Sequence, residues 1–196
     1  MKQMEIRSIL SKLALIVMAI MVIAACKKDD DNENTPPPPP VHPFVGTYLF
    51  NSATFNDPIT VIINGDTTHF QAGDDASLFV GGGLLGSAPC DNADNAALNL
   101  RADFTSWYIC QNESNEAQQG TWETNDNNTL LKLNIANPAN FVVNITYVDL
   151  TGNILSGTIP TLPMPYDTSL PVGDPLPGGG INFQTANVEV EFTKIN

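Results

Sequence analysis

From residue 44 onward the apolar residues of this chain recur at every second position, and that period constrains the fold more than any other feature. Near the end, Val188, Val190 and Phe192 alternate with Glu189, Glu191 and Thr193. Successive side chains of a strand point to opposite faces, so such a segment buries one side and wets the other. Leu131, Leu133 and Ile135 alternate likewise with Lys132 and Asn134, and Phe141, Val143, Ile145 and Tyr147 are expected to share one face of a strand over 140–150. Residues 45–55, 59–63, 67–70, 96–101, 104–110, 120–124 and 154–159 complete the series. Turn residues separate them: Asn64-Gly65, a strong hairpin signal, then Ala102-Asp103, 125–128 and Thr151-Gly152-Asn153. About eight to ten strands in sequential hairpins predict an all-β antiparallel up-and-down meander, which closes into a barrel or splits into a sandwich.

Three stretches of this part depart from the β pattern. At 74–86, Asp74 or Asp75 is placed to cap a short helix that Gly81-Gly82-Gly83 would stop, or the stretch forms a lid-like loop. Residues 111–118 read as a polar loop. Residues 160–180, with six prolines and a run of three glycines, exceed an ordinary hairpin loop.

The first 25 residues read differently. Lys2 and Arg7 precede an uninterrupted apolar and small-residue run over 13–25, ending Ile23-Ala24-Ala25-Cys26. That run is shorter than the roughly 20 residues that span a bilayer, and it suits an export signal to be left out of the fold. Small residues ahead of a cysteine at the end of a short apolar stretch resemble the lipobox of bacterial lipoproteins. The resemblance implies that Cys26 receives a diacylglycerol and becomes an acylated N-terminus; the plainer reading is a secretory signal that ends near a cysteine. Lys27-Lys28-Asp29-Asp30-Asp31 resembles the surface-export signal of Bacteroidetes lipoproteins, which implies an outer-membrane, cell-surface location; a solvated spacer on a periplasmic protein is the alternative. Residues 27–34 offer nothing to bury and are expected to be disordered. Five consecutive prolines, 36–40, form a stiff polyproline II stalk of about 3 Å per residue. The expected organisation is a signal peptide over 1–25, a linker over 26–43 and one barrel domain over 44–196.

The chain holds 8 Lys+Arg against 21 Asp+Glu, a net charge of −13. The expected signal takes away Lys2, Arg7, Lys12 and Glu5, so the mature chain would stand at −15. Such a surface repels phosphate backbones, which argues against nucleic acid as a partner. It equally disfavours electrostatic docking on anionic lipid, so the expected membrane partner is reached through the acyl chains. With Cys26 acylated, Cys90 and Cys110 remain, and in an oxidising compartment they are expected to pair as a disulfide. A monomer is expected.

Val45-Gly46-Thr47-Tyr48 is similar to the Gly-Thr-Trp opening of lipocalin-like domains in Bacteroidetes lipoproteins. Cys90 followed by Asp91, Asp94 and a strand, and Gly120-Thr121-Trp122-Glu123 followed by a turn and 129–133, resemble further elements of that family. The chain departs from it in Tyr48 for Trp, in Phe104 where a turn glycine would follow Asp103, and in the long 160–180 insertion. The resemblance implies a lipocalin-like barrel, closed or half-open, and no catalytic residues.

No nucleophile elbow, zinc-protease helix, phosphate loop or EF-hand spacing occurs in the sequence. The expectation is therefore a noncatalytic protein without cofactor or metal. Asp91, Asp94 and Asp126 read either as a weak calcium site or as ordinary turn residues. His69 reads as a surface residue rather than a base. Asp66-Thr67-Thr68 resembles an O-glycosylation site of exported Bacteroidetes proteins or is a simple turn. Trp107, Tyr108, Trp122, Phe141 and Tyr147 lie on expected strands; they line a pocket for a small apolar or glycan ligand, or they fill the barrel core. Such a ligand would enter near 76–86 or 160–180.

Overall fold

The computed structural model of the protein describes residues 40–136 and 140–196. The expected signal peptide, Cys26 and the linker up to residue 39 lie outside the described residues. Val41–Asn196 forms one compact unit. Its strands are β1 (Gly46–Phe55), β2 (Ile59–Ile63), β3 (Asp66–Phe70), β4 (Ala96–Leu100), β5 (Thr105–Cys110), β6 (Glu116–Thr124), β7 (Leu130–Ile135), β8 (Phe141–Thr151), β9 (Ile154–Met164) and β10 (Gln184–Lys194). One helix, α1 (Ser77–Leu85), follows β3, and a 3₁₀ turn (Ala93–Asn95) precedes β4.

Eight strands form a closed antiparallel barrel: β1, then β4 to β10 in order, with β10 returning to β1. Of the architectures open to the sequence, the closed one is formed. The β2–β3 hairpin is a separate two-stranded sheet. Asn64 and Gly65 turn it, both at positive φ (54° and 89°), as a two-residue hairpin turn requires. At one pole lie the start of β1, the turns at 101–104, 125–128 and 152–153, and the chain's C-terminal end. At the other lie the hairpin, α1 and the residues following β9.

The interior is built as the alternation demands, but not by one unbroken phase. Asn51 is an extra residue on β1 between Phe50 and Ser52. Tyr48 is buried before it, and Ala53 and Phe55 after it. On β6, Gln119 is the extra residue opposite the step from Ser106 to Trp107. On β8, Tyr147 and Val148 together oppose one residue of β9. On β9, Pro160 and Thr161 together oppose Asn187. Each bulge exchanges inside for outside beyond it. Tyr147 is the correction that follows. It does not share the face of Val143 and Ile145; it sits in the bulge at φ 53° and is 83% exposed, while Val148 turns inward.

Three boundaries also move. The segment read as a polar loop contributes the first part of β6, from Glu116. The end of the 154–159 strand continues through Pro160 and Pro163 to Met164, because a bulge accommodates the missing donor of Pro160. Helix α1 runs through the three glycines to Leu85 instead of stopping at them. Val80 and Leu84 are buried against the barrel, and that burial outweighs the low helix propensity of the glycines. Asp75 accepts the Ser77 amide at 2.8 Å just ahead of the helix, whereas Asp74 accepts the Gln71 amide at 2.7 Å.

Gly120, in the Gly-Thr-Trp unit, has a steric reason to be glycine. A Cβ there would lie 1.8 Å from the Asn134 carbonyl oxygen, across the β6–β7 pairing. Gly120→Ala is expected to lower the unfolding free energy by roughly 1–3 kcal/mol in a denaturant titration, since backbone rather than a flexible side chain must move. An unchanged midpoint would show that the two strands can part freely.

Candidate functional site

The barrel interior is filled. Trp122, Tyr48, Tyr108, Phe55 and Phe192 are essentially inaccessible, with Leu100, Leu131, Ile145, Leu155 and Ile159 around them. An eight-stranded barrel is just wide enough for side chains to occupy it, and here they do.

The pole that carries Val41 is plugged. The Trp122 indole N–H donates to the Arg101 carbonyl at 3.0 Å. Its ring centroid lies 5.2 Å from His42 and 4.9 Å from Phe104. His42 Nε2 is 3.0 Å from Asn128 Oδ1, and the Tyr48 hydroxyl donates to the Phe44 carbonyl at 2.9 Å. Phe104 adopts φ 62°, and this backbone lays its ring on Trp122. Burial pushes the Tyr48 phenol up to about 12 and raises Tyr108 as well. An unfolded phenol ionises near pH 10. The stability associated with keeping Tyr48 neutral is therefore complete below about pH 10 and is lost as pH rises through about 12. Urea midpoints measured from pH 9 to 12 should fall across that window, and less steeply in Tyr48→Phe; equal slopes would remove Tyr48 from the account.

The opposite pole is covered by α1 without being smoothed. Phe79 of α1 packs on Phe55 and Phe70, each with centroids 5.7 Å away, and so ties helix, β1 and hairpin together. A hollow runs along each side of the helix. One, of about 560 Å³, lies toward β1 and the 3₁₀ turn and includes Ser77 and Asp94. The other, of about 610 Å³, is the furrow of interest. Gly82, Gly83 and Leu84 form its helical side, Phe141 and the Leu162-Pro163 end of β9 its floor, and Val172 and Phe183 its far wall. Val172 and Phe183 remain 46% and 45% exposed there.

The far wall belongs to the 165–183 segment between β9 and β10, which Asn182 holds in place. Asn182 is wholly buried. Its side-chain amide donates to the carbonyls of Asp167 and Leu170 at 2.8 Å and of Pro171 at 3.1 Å, and its Oδ1 accepts the Asp167 amide at 2.7 Å. The segment is also stitched to β2: Ile62 N–H donates to Tyr166 O at 2.7 Å and Thr168 N–H to Ile62 O at 2.9 Å. The two stretches singled out in the sequence as a possible entrance thus meet across one furrow.

Of the five aromatic candidates Tyr108 is in the barrel core, and the other four are not brought together. Trp107 faces outward with the Arg101 guanidinium 3.8 Å over its ring, and Arg101 is itself paired with Glu116 at 2.8 Å. Trp122 plugs the far pole, and Tyr147 stands on the outer wall. Only Phe141 reaches the furrow. Cys90 and Cys110 are joined in a disulfide with Cα atoms 5.3 Å apart. Asp126 lies at the plugged pole, away from Asp91 and Asp94, so these three do not converge. Glu113 instead organises the 91–95 region: it accepts from the Asn95 side chain at 2.9 Å and the Asp91 amide at 3.0 Å, and these bonds hold its carboxyl below the usual range. His69 Nδ1 contacts the Thr60 hydroxyl at 2.9 Å on the exposed hairpin. Sequence reading missed Val172, whose only signal was the length of the 160–180 segment, and Asn182 and Phe183, which the alternation assigns to the closing strand but which lie just ahead of β10.

The fold is therefore a closed, filled up-and-down barrel with a helix-flanking furrow at one pole. Comparison of the chain with protein families, with curated proteins and with solved structures found no match.

Proposed function

We propose that the chain is an exported lipoprotein, anchored in the outer membrane through acylated Cys26, whose barrel is a noncatalytic binding domain for a small apolar or glycan ligand. The observation that carries the binding reading is the furrow between α1 and the 165–183 segment. Its volume of about 610 Å³ lies within the range usual for ligand sites, roughly 300–1,000 Å³. The domain begins, at Val41, on the pole opposite the furrow.

A second reading has one observation in its favour. The filled interior leaves no calyx, which fits a structural or adhesive surface protein with no small-molecule ligand. Native mass spectrometry of the full protein purified from its own host separates the two. A co-purifying small molecule, lost when the furrow is blocked, supports binding; a mass equal to the acylated chain alone in every preparation supports the structural reading. The same spectra test the anchor, because Cys26→Ala should remove the acyl mass.

A further inference from the structure

We infer that the furrow takes an uncharged, predominantly apolar molecule with the character of a neutral lipid chain, and that it rejects carboxylates and sugars. This rests on the reading that the furrow is the binding site. Ten residues line it: three glycines, one serine and six apolar side chains. No lining residue carries a charge, so an ionised headgroup entering the furrow would lose water without gaining a counter-charge. The field outside acts in the same direction. Residues 41–196 contain 3 Lys+Arg and 16 Asp+Glu, and a carboxylate approaching that surface is repelled. A sugar needs several fixed side-chain donors and acceptors to orient its hydroxyls. Ser87 is the only such side chain among the lining residues. The companion hollow on the other side of α1, with Ser77 and Asp94, lacks this uniformly neutral character.

The shape of the helical side supports the same occupant. Glycine inside a helix is unfavourable by roughly 1 kcal/mol relative to alanine. A Cβ added at Gly86 would lie 2.2 Å from the Gly82 carbonyl oxygen, so the fold itself requires that glycine. A Cβ at Gly82 or Gly83 would meet nothing within 4 Å. No neighbour in the chain demands those two glycines, and their bare backbone leaves a smooth trough against which a flexible alkyl chain can lie, with Val172 and Phe183 elsewhere in the lining.

The test uses the full chain and three diazirine photoprobes: a long-chain N-methyl alkylamide, the same chain ending in a carboxylate, and a neutral maltotriose derivative. Labelled peptides are mapped by mass spectrometry. The alkylamide should label peptides containing residues 82–87, 141 and 172–183 at least tenfold more than either other probe. Gly83→Leu, at a helical position that lines this furrow and not the companion hollow, should reduce that labelling at least tenfold while the unfolding midpoint stays the same or rises. Labelling of the furrow by the carboxylate or the saccharide to a similar extent would overturn the inference and leave the furrow as the binding site. Alkylamide labelling that survives Gly83→Leu would also overturn it. No furrow labelling by any probe would overturn both the inference and the binding reading beneath it.

Discussion

Trp122→Ala is expected to lower the unfolding free energy by about 3–5 kcal/mol, the usual cost of truncating a fully buried large aromatic. Trp122 is 1% exposed and closes the pole at which the domain begins. Three losses combine. The cavity opens where no neighbour can collapse, because β6 is held on both sides by its strand partners. The Arg101 carbonyl loses the indole donor at 3.0 Å. The rings of His42 and Phe104 lose the surface on which they rest. Trp122→Phe keeps most of the volume and should cost mainly the hydrogen bond, about 1 kcal/mol beyond the packing change. The coupling to Phe104 is a sharper test. A non-glycine residue in the left-handed region costs roughly 1–2 kcal/mol, and ring packing on Trp122 offsets it. Phe104→Gly should thus be nearly neutral in the native sequence and stabilising in the Trp122→Ala background. Guanidinium titrations of the four proteins measure the cycle; additive effects would mean that the two rings do not support one another.

Removing the Cys90–Cys110 disulfide should cost about 3 kcal/mol, the loop-closure entropy of a cross-link spanning 20 residues. The bond fastens the stretch between α1 and β4 to the end of β5. Gly86 and Ser87, which line the furrow, lie on that stretch. The double variant Cys90→Ala/Cys110→Ala, compared with the native protein under oxidising and reducing conditions, isolates the effect. Reductant should destabilise the native protein by about the stated amount and leave the variant unchanged. The helix end should loosen as well, so hydrogen exchange over 85–95 should quicken far more than exchange over β7 and β8. Uniform quickening throughout the barrel would show that the bond acts on the unfolded chain alone.

The alternation of β10 and β7 was legible because nothing interrupts it: Val188, Val190 and Phe192 are all buried, as are Leu131, Leu133 and Ile135. Asn64-Gly65 was legible because two consecutive positive φ angles restrict the residues that can serve. The bulges were not. A bulge inserts one residue without any fixed composition, and beyond it every inward position becomes an outward one. Tyr147 was misplaced for that reason alone. Trp107 and Tyr108 are both aromatic and adjacent, yet neighbouring strand residues face opposite ways, and Tyr108 is the one inside. Propensity alone makes the glycines at 81–83 a stop, while the helix is decided by where Val80 and Leu84 are buried. The furrow joins α1 to a segment some ninety residues later in the chain, a proximity that only the closed barrel creates.

The pairing of β1 with β10 also governs when the domain can exist. Tyr48 is paired with Lys194 and Phe55 with Val188, so the seam joins the two ends of the domain. The other barrel pairings, apart from that between β1 and β4, are hairpins between consecutive strands that a growing chain can form as it emerges. The seam cannot form until residues 188–194 are present, and contacts of such sequence separation are the slow ones in folding. A chain that lacks β10, truncated or still emerging, therefore has two open sheet edges and no sealed interior, and an intact β10 is a condition for the barrel rather than an ornament on it.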